Sequence, residues 1–124
     1  MIYSTHLSTT GETLVFTSSS TGAPIGGAVT GQTTAITTIA ICNIGTPNLT
    51  DETINSANIT INLLGIAPNN VSTPANTVVK NLTVPAGETL FFNDERIVLD
   101  AGNTIRATAS AANLLSITVS AIIV

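Results

Sequence analysis

Hydrophobic and polar residues alternate along most of this chain, with the period of two that a half-buried β-strand requires. The clearest case is Asn58 to Leu64, where Ile59, Ile61 and Leu63 point one way and Asn58, Thr60 and Asn62 the other. The same pattern predicts a first strand over Glu12 to Thr17, with Leu14 and Phe16 sharing a face. It predicts two more over Thr104 to Ala109 and Leu115 to Ala121, the latter with Leu115, Ile117, Val119 and Ala121 inward. Thr34 to Ile44 predicts the central strand, with Ile36, Ala40, Cys42 and Ile44 on one side and Ala35, Ile39 and Ile41 on the other. A strand that is apolar on both faces implies cover on both, from a second sheet and from another subunit. Thr77 to Val84 alternates with a fault: Lys80 interrupts the face of Val78, Leu82 and Val84, which predicts a bulge or an edge position. Thr89 to Phe92 and Arg96 to Leu99 complete about eight short strands.

What separates the strands is turn chemistry. Val84-Pro85-Ala86-Gly87-Glu88-Thr89-Leu90 is echoed fifteen residues later by Leu99-Asp100-Ala101-Gly102-Asn103-Thr104-Ile105, with a looser copy at Thr10-Gly11-Glu12-Thr13-Leu14. In each, an apolar strand end meets a turn in which glycine can supply a positive φ. Gly45 to Asn55 turns through Pro47 and admits a short helical turn capped by Thr50 or Asp51. Gly65 to Asn76, with Pro68 and Pro74, reads as a loop. Residues 18–33, nearly uncharged and rich in Gly, Ser and Thr, exceed the usual length of a structureless connection and predict a flexible loop or an arm that reaches a neighbour. Removing Met1 to Thr33 is then expected to leave the sandwich folded. Ile122, Ile123 and Val124 are bare apolar residues, which suggests that the last strand is tucked into a sheet or an intersubunit groove. Strands at this spacing, without a helix of substance, predict an all-β fold: residues 1–124 as a single antiparallel two-sheet β-sandwich, jelly-roll or immunoglobulin-like.

Composition changes this picture in one respect. Only Lys80, Arg96 and Arg106 oppose seven carboxylates, for a net charge of −4. Three scattered bases on an acidic chain cannot neutralise a phosphate backbone, which excludes nucleic acid as a partner. So little charge also leaves the exterior to Thr, Ser and Asn, a surface that desolvates cheaply and suits a protein packed among neighbours. No apolar run reaches the ~18 residues of a membrane helix, and the first residues show no secretion leader, so neither a membrane nor a secretory route is expected. Without that route, the Asn-X-Thr/Ser triplets at Asn48, Asn58, Asn70 and Asn81 follow from Asn and Thr abundance alone.

The chain offers little for catalysis. His6 is the only histidine, in an N-terminal stretch expected to be mobile, so no Ser-His-acid or Cys-His set has another base to draw on. Cys42 is the only cysteine; it permits no internal disulfide and reads as a small buried hydrophobe. Zinc needs a cluster of such ligands. The glycines at Gly22, Gly26, Gly27 and Gly31 match no phosphate-binding motif. Asp94, Glu95 and Asp100, or Asp51 and Glu52, supply oxygens of the kind that bind Ca²⁺ but lack any ligand spacing, and read as polar turn residues. No catalytic, cofactor-binding or metal-binding residue is expected.

The stretch NTVVKNLTVPAGETLFFNDERIVLDAGNTIRATASAANLLSITVS resembles a group of small structural proteins of tailed bacteriophages, cyanophages included. The pattern of that group falls on Leu82 to Leu90, Arg96 to Ser110 and Leu115 to Ser120, with Asn103 where aspartate is usual. It extends more loosely over Thr34 to Leu64. The resemblance implies a non-enzymatic virion protein without a cofactor, assembled in the host cytoplasm. Such a protein would form a homo-oligomer, a trimer or ring, and bind other virion proteins. The first expectation is a capsid decoration or cement protein on the major capsid protein; the alternative is a neck, tail or fibre-attachment accessory. A glycan- or host-surface-binding module is a further reading, for which only Tyr3, Phe16, Phe91 and Phe92 could stack on a sugar.

Overall fold

The computed structural model describes residues 1–19, 32–93 and 96–124. Among the described residues nine strands form two antiparallel sheets: β1 (Ile2–Leu7), β2 (Thr13–Thr17), β3 (Thr34–Asn43), β4 (Ala57–Leu64), β5 (Thr77–Val84), β6 (Thr89–Phe92), β7 (Ile97–Leu99), β8 (Thr104–Ala109) and β9 (Leu115–Ile123). One sheet runs β1-β9-β3-β6, with β7 also on β3; the other runs β2-β8-β4-β5. The chain therefore pairs first strand with last, second with second last, and so on inward, the rolled-up double strand of a jelly roll rather than an immunoglobulin-like order. Between the sheets lies one largely aliphatic core with Phe16 as its single fully buried phenylalanine among the described residues; Leu7, Ile41, Ile59, Ile105 and Ile117 are fully buried with it. Burying each such side chain stabilises the fold by about 1.5–3 kcal/mol.

The eight expected strands are present within a residue or two of their expected ends, and a ninth, β1, lies where a mobile segment was expected. Its register on β9 runs from Ile2 opposite Ser120 to Leu7 opposite Leu115. Leu7 is sealed in the core with Tyr3 packed against it. Loss of residues 1–33 would strip an edge from each sheet and remove Leu7, Val15 and Phe16, so the expected independence of the sandwich from this segment does not hold. Ser18 and Ser19 are also buried, and the Ser18 hydroxyl donates to Leu99 O at 3.0 Å. The beginning of the 18–33 stretch thus belongs to the fold, while its residues 20–31 lie outside those described.

Three face assignments are corrected by bulges. In β3 the register on β9 slips between Ile36 and Thr38, so Ile36 joins Ile39 and Ile41 in the core. Ala40 and Cys42 face outward, half-buried, and Ile44 lies beyond the strand, exposed. The double-faced look of this strand is one inner face read across an extra residue, not a sign of cover on both sides. In β5 a slip against β4 places Val79 opposite Ile61 and Leu82 opposite Ile59, leaving Val78 outside; the strand is an edge, as Lys80 implied. Asn81, with φ of 49°, takes the strained position of that bulge. In β2 the slip between Leu14 and Phe16 buries Val15 and Phe16 together.

The Ala-Gly repeat is structural. Glu88 N donates to Pro85 O and Asn103 N to Asp100 O, closing two turns with Gly87 and Gly102 at φ of 77° and 84°. Each turn then clasps a strand end by two reciprocal bonds: the first holds Asn43 through Gly87 N and Glu88 O, the second holds Ser18 through Gly102 N and Asn103 O. Gly11, in the looser copy, has no positive φ. No helix forms at 45–55, but residues 52–55 form hydrogen-bonded turns, with Ile54 N donating to Asp51 O and Ser56 N to Thr53 O at 3.3 Å each, and the Asp51 side chain accepts from Thr53 N at their start. The Asn48 side chain accepts from Thr50 N and Asp51 N. Inside the expected 65–76 loop, Pro74–Asn76 is a single 3-10 turn.

Candidate functional site

The residues with chemical potential are dispersed. His6 is exposed on β1, where its ring nitrogens lie 3.4 Å from Ser116 Oγ and 3.3 Å from Asn113 Oδ1. Both partners are neutral, and among the described residues no carboxylate hydrogen-bonds the ring to orient it as a base. Among the described residues no three His, Cys, Asp or Glu side chains cluster. The Asp51 carboxylate is occupied by Thr53, whose N–H donates at 3.0 Å and hydroxyl at 2.6 Å, and these bonds hold its pKa below the ordinary carboxylate value. Asp94 and Glu95 lie outside the described residues. Arg106 pairs with Glu12 at 3.1 Å, both side chains about a third exposed, a surface pair of small value.

One groove lies beside β4 and β5, lined by Thr60, Asn62, Thr73, Thr77 and Lys80. Asn62 is largely spent there on structure: its amide donates to Asn76 Oδ1 at 2.8 Å and Thr77 Oγ1 at 2.9 Å. No aromatic ring lines the groove, so it lacks the stacking platform on which sugar recognition relies.

The two outer faces differ far more than their strands' composition suggests. Both charged strand residues, Lys80 and Arg106, belong to the four-stranded sheet, whose outer side also carries Asn58 and Thr60. The five strands of the other sheet contain no Asp, Glu, Lys or Arg. Cross-strand partners share a face, so the register fixes what this sheet presents to the outside. One row crosses it as Phe91, Ala40, Thr118 and Ser4. A second row, toward the other end of β3, runs Val98, Ala35 and Ile122. The middle of the face is thus a floor of small side chains, and large apolar residues stand at its margins: Phe91 is 62% exposed, Val98 60%, Ile122 55% and Ile2 71%. Cys42, expected in the core, is half-buried on this floor.

Low overall charge was visible in the chain as written; its complete segregation from one sheet was not, because it depends on strand order and on the bulge in β3. Comparison with family models, with curated proteins and with solved structures finds no match to this chain.

Proposed function

We propose that this protein is a non-enzymatic structural component of a tailed-phage virion, a jelly-roll unit that self-associates and cements the particle by burying neutral surface between subunits. The resemblance of the 76–120 stretch to small phage structural proteins supports the virion assignment. The single structural observation behind a cementing role is the charge-free outer face of the five-stranded sheet, with four large apolar side chains in water. Val98, Ala35 and Ile122 lie side by side across three strands, and contiguous exposed apolar surface of that kind marks interaction sites. Desolvating hydroxyls and methyls costs far less than desolvating ions, so such a face can be covered without paired charges.

Within the virion the reading is capsid decoration, on the major capsid protein, with a neck, tail or fibre-attachment accessory as the alternative. The copy number in purified particles separates them: on the order of hundreds for a shell protein, about a dozen or fewer for a neck or tail ring. Absence from the particle altogether overturns the proposal. A glycan- or host-surface-binding role finds less support, because the groove at Lys80 has no aromatic lining; binding on a glycan array would revive it. The expectation of an attaching arm is tested by replacing residues 20–31 with a short Gly-Ser linker and measuring retention on particles.

A further inference from the structure

We infer that the outer face of the five-stranded sheet is a two-fold interface with a second copy of this chain. The inference deepens the reading above and rests on its self-association, not on the virion assignment. Three observations lead to it.

The first is charge. The chain carries −4, all of it off this sheet's strands. Two copies that meet through these faces bring no Asp, Glu, Lys or Arg on those strands into contact, whereas contact through the four-stranded sheet would bury Lys80 and Arg106. The second is size. The face is four strands wide, and β3 and β9 are ten and nine residues long. With β1 at six residues and β6 and β7 sharing the far edge at four and three, ~4.8 Å between strands and ~3.3 Å per residue give about 500 Å² in projection, which side-chain relief brings toward the roughly 800 Å² per partner of a stable interface.

The third observation is shape. A two-fold axis parallel to the strands lays the row Phe91-Ala40-Thr118-Ser4 on its own reverse. Each Phe91 then stands over the partner's Ser4, and each Ala40 over the partner's Thr118. The row is large at one end and small at the other, so it is complementary to itself in this arrangement, as an isologous contact requires. Two sheets packed in this way lie ~10 Å apart, the spacing of a sandwich core.

The test uses the full chain, by sedimentation equilibrium and by alkylation of Cys42, whose thiol lies on the proposed interface. The expected result is a dimer or an even-numbered assembly in which alkylation slows as concentration rises. Phe91→Asp and Thr118→Arg should each raise the dissociation constant at least about a hundredfold, since each buries an unpaired charge. Thr108→Arg, on the outer side of the other sheet, should leave association unchanged. Cooperative unfolding of every variant confirms that the fold is retained. A wild-type assembly that persists in both face variants, with Cys42 still freely alkylated, overturns the interface and leaves self-association standing. A wild-type chain that is monomeric at every soluble concentration overturns both.

Discussion

Two buried or strained residues hold this jelly roll together at points that alternation does not mark. Asn43 ends β3 with its side chain buried, donating to Asn55 O and Val84 O at 2.8 Å each and accepting from Gly45 N at 2.8 Å. It ties the larger sheet to the end of β5 in the other. Asn43→Ala strands those buried carbonyls and should cost about 2–4 kcal/mol in chemical denaturation. Asn43→Asp should be no better at neutral pH, because a carboxylate cannot donate to two carbonyls. Gly87 combines a positive φ with a neighbour in the way: an added Cβ would meet Pro47 Cγ at 2.7 Å. Gly87→Ala should therefore lose about 2 kcal/mol, left-handed strain plus the clash, while Gly11→Ala, with only Thr9 Oγ1 at 3.7 Å, should change little. Asp51 offers a titration. Thr53→Val removes the hydroxyl bond, the larger of its two stabilising bonds, so the Asp51 pKa should rise toward its ordinary value in a side-chain NMR titration. Its lowered pKa means that whatever it adds to stability is present above the ordinary carboxylate pKa and fades as pH falls through the folded-state value.

At the scale of elements, the unbroken alternations were legible and the broken ones were not. β4, β8 and β9 show in the chain as regular apolar-polar runs, and the Ala-Gly repeat announces its two positive-φ turns. In β2, β3 and β5 one extra residue reverses which side faces the core, and nothing in the local composition of Val15 or Thr37 marks the slip. Asn81 carries a signal, since Asn tolerates positive φ, but only within a strand whose partner is already known. β1 was missed because its inner side offers Tyr3, Thr5 and Leu7, a weak apolar series. It is a strand because β9, more than a hundred residues away, supplies its register. The charge-free face was illegible for the same reason, since it is a product of strand order. β1 also makes a prediction. Deleting residues 1–7 uncovers the β9 edge and removes Leu7, whose loss from the core alone costs about 2–5 kcal/mol. With the ladder gone as well, the shortened chain should lose cooperative thermal unfolding by circular dichroism or aggregate through the bared strand. A truncated protein that melts as sharply as the full chain would show that β1 is dispensable.

At the scale of the whole molecule, the strands' formal charge lies on one of two sheet faces of similar breadth and not on the other. The acidic loops and the Glu12-Arg106 pair surround a sandwich whose larger sheet is neutral outside as well as inside. Association through that sheet is driven by removing apolar and hydroxyl surface from water, and formal charge enters only as a weak mutual repulsion between copies of net charge −4. Such repulsion acts over a Debye length, about 30 Å at 0.01 M salt and about 3 Å at 1 M, so salt should screen it away. The expected outcome is self-association that is unchanged or modestly tighter as salt rises across that range, measured as the dissociation constant by sedimentation. Because only folded chains associate, the melting temperature should climb with protein concentration in parallel. Contacts built on ion pairs behave oppositely, weakening steeply with salt as screening grows. A dissociation constant that worsens tenfold or more across the same range, about 1.4 kcal/mol, would place the interface among the charged loops and not on the neutral sheet.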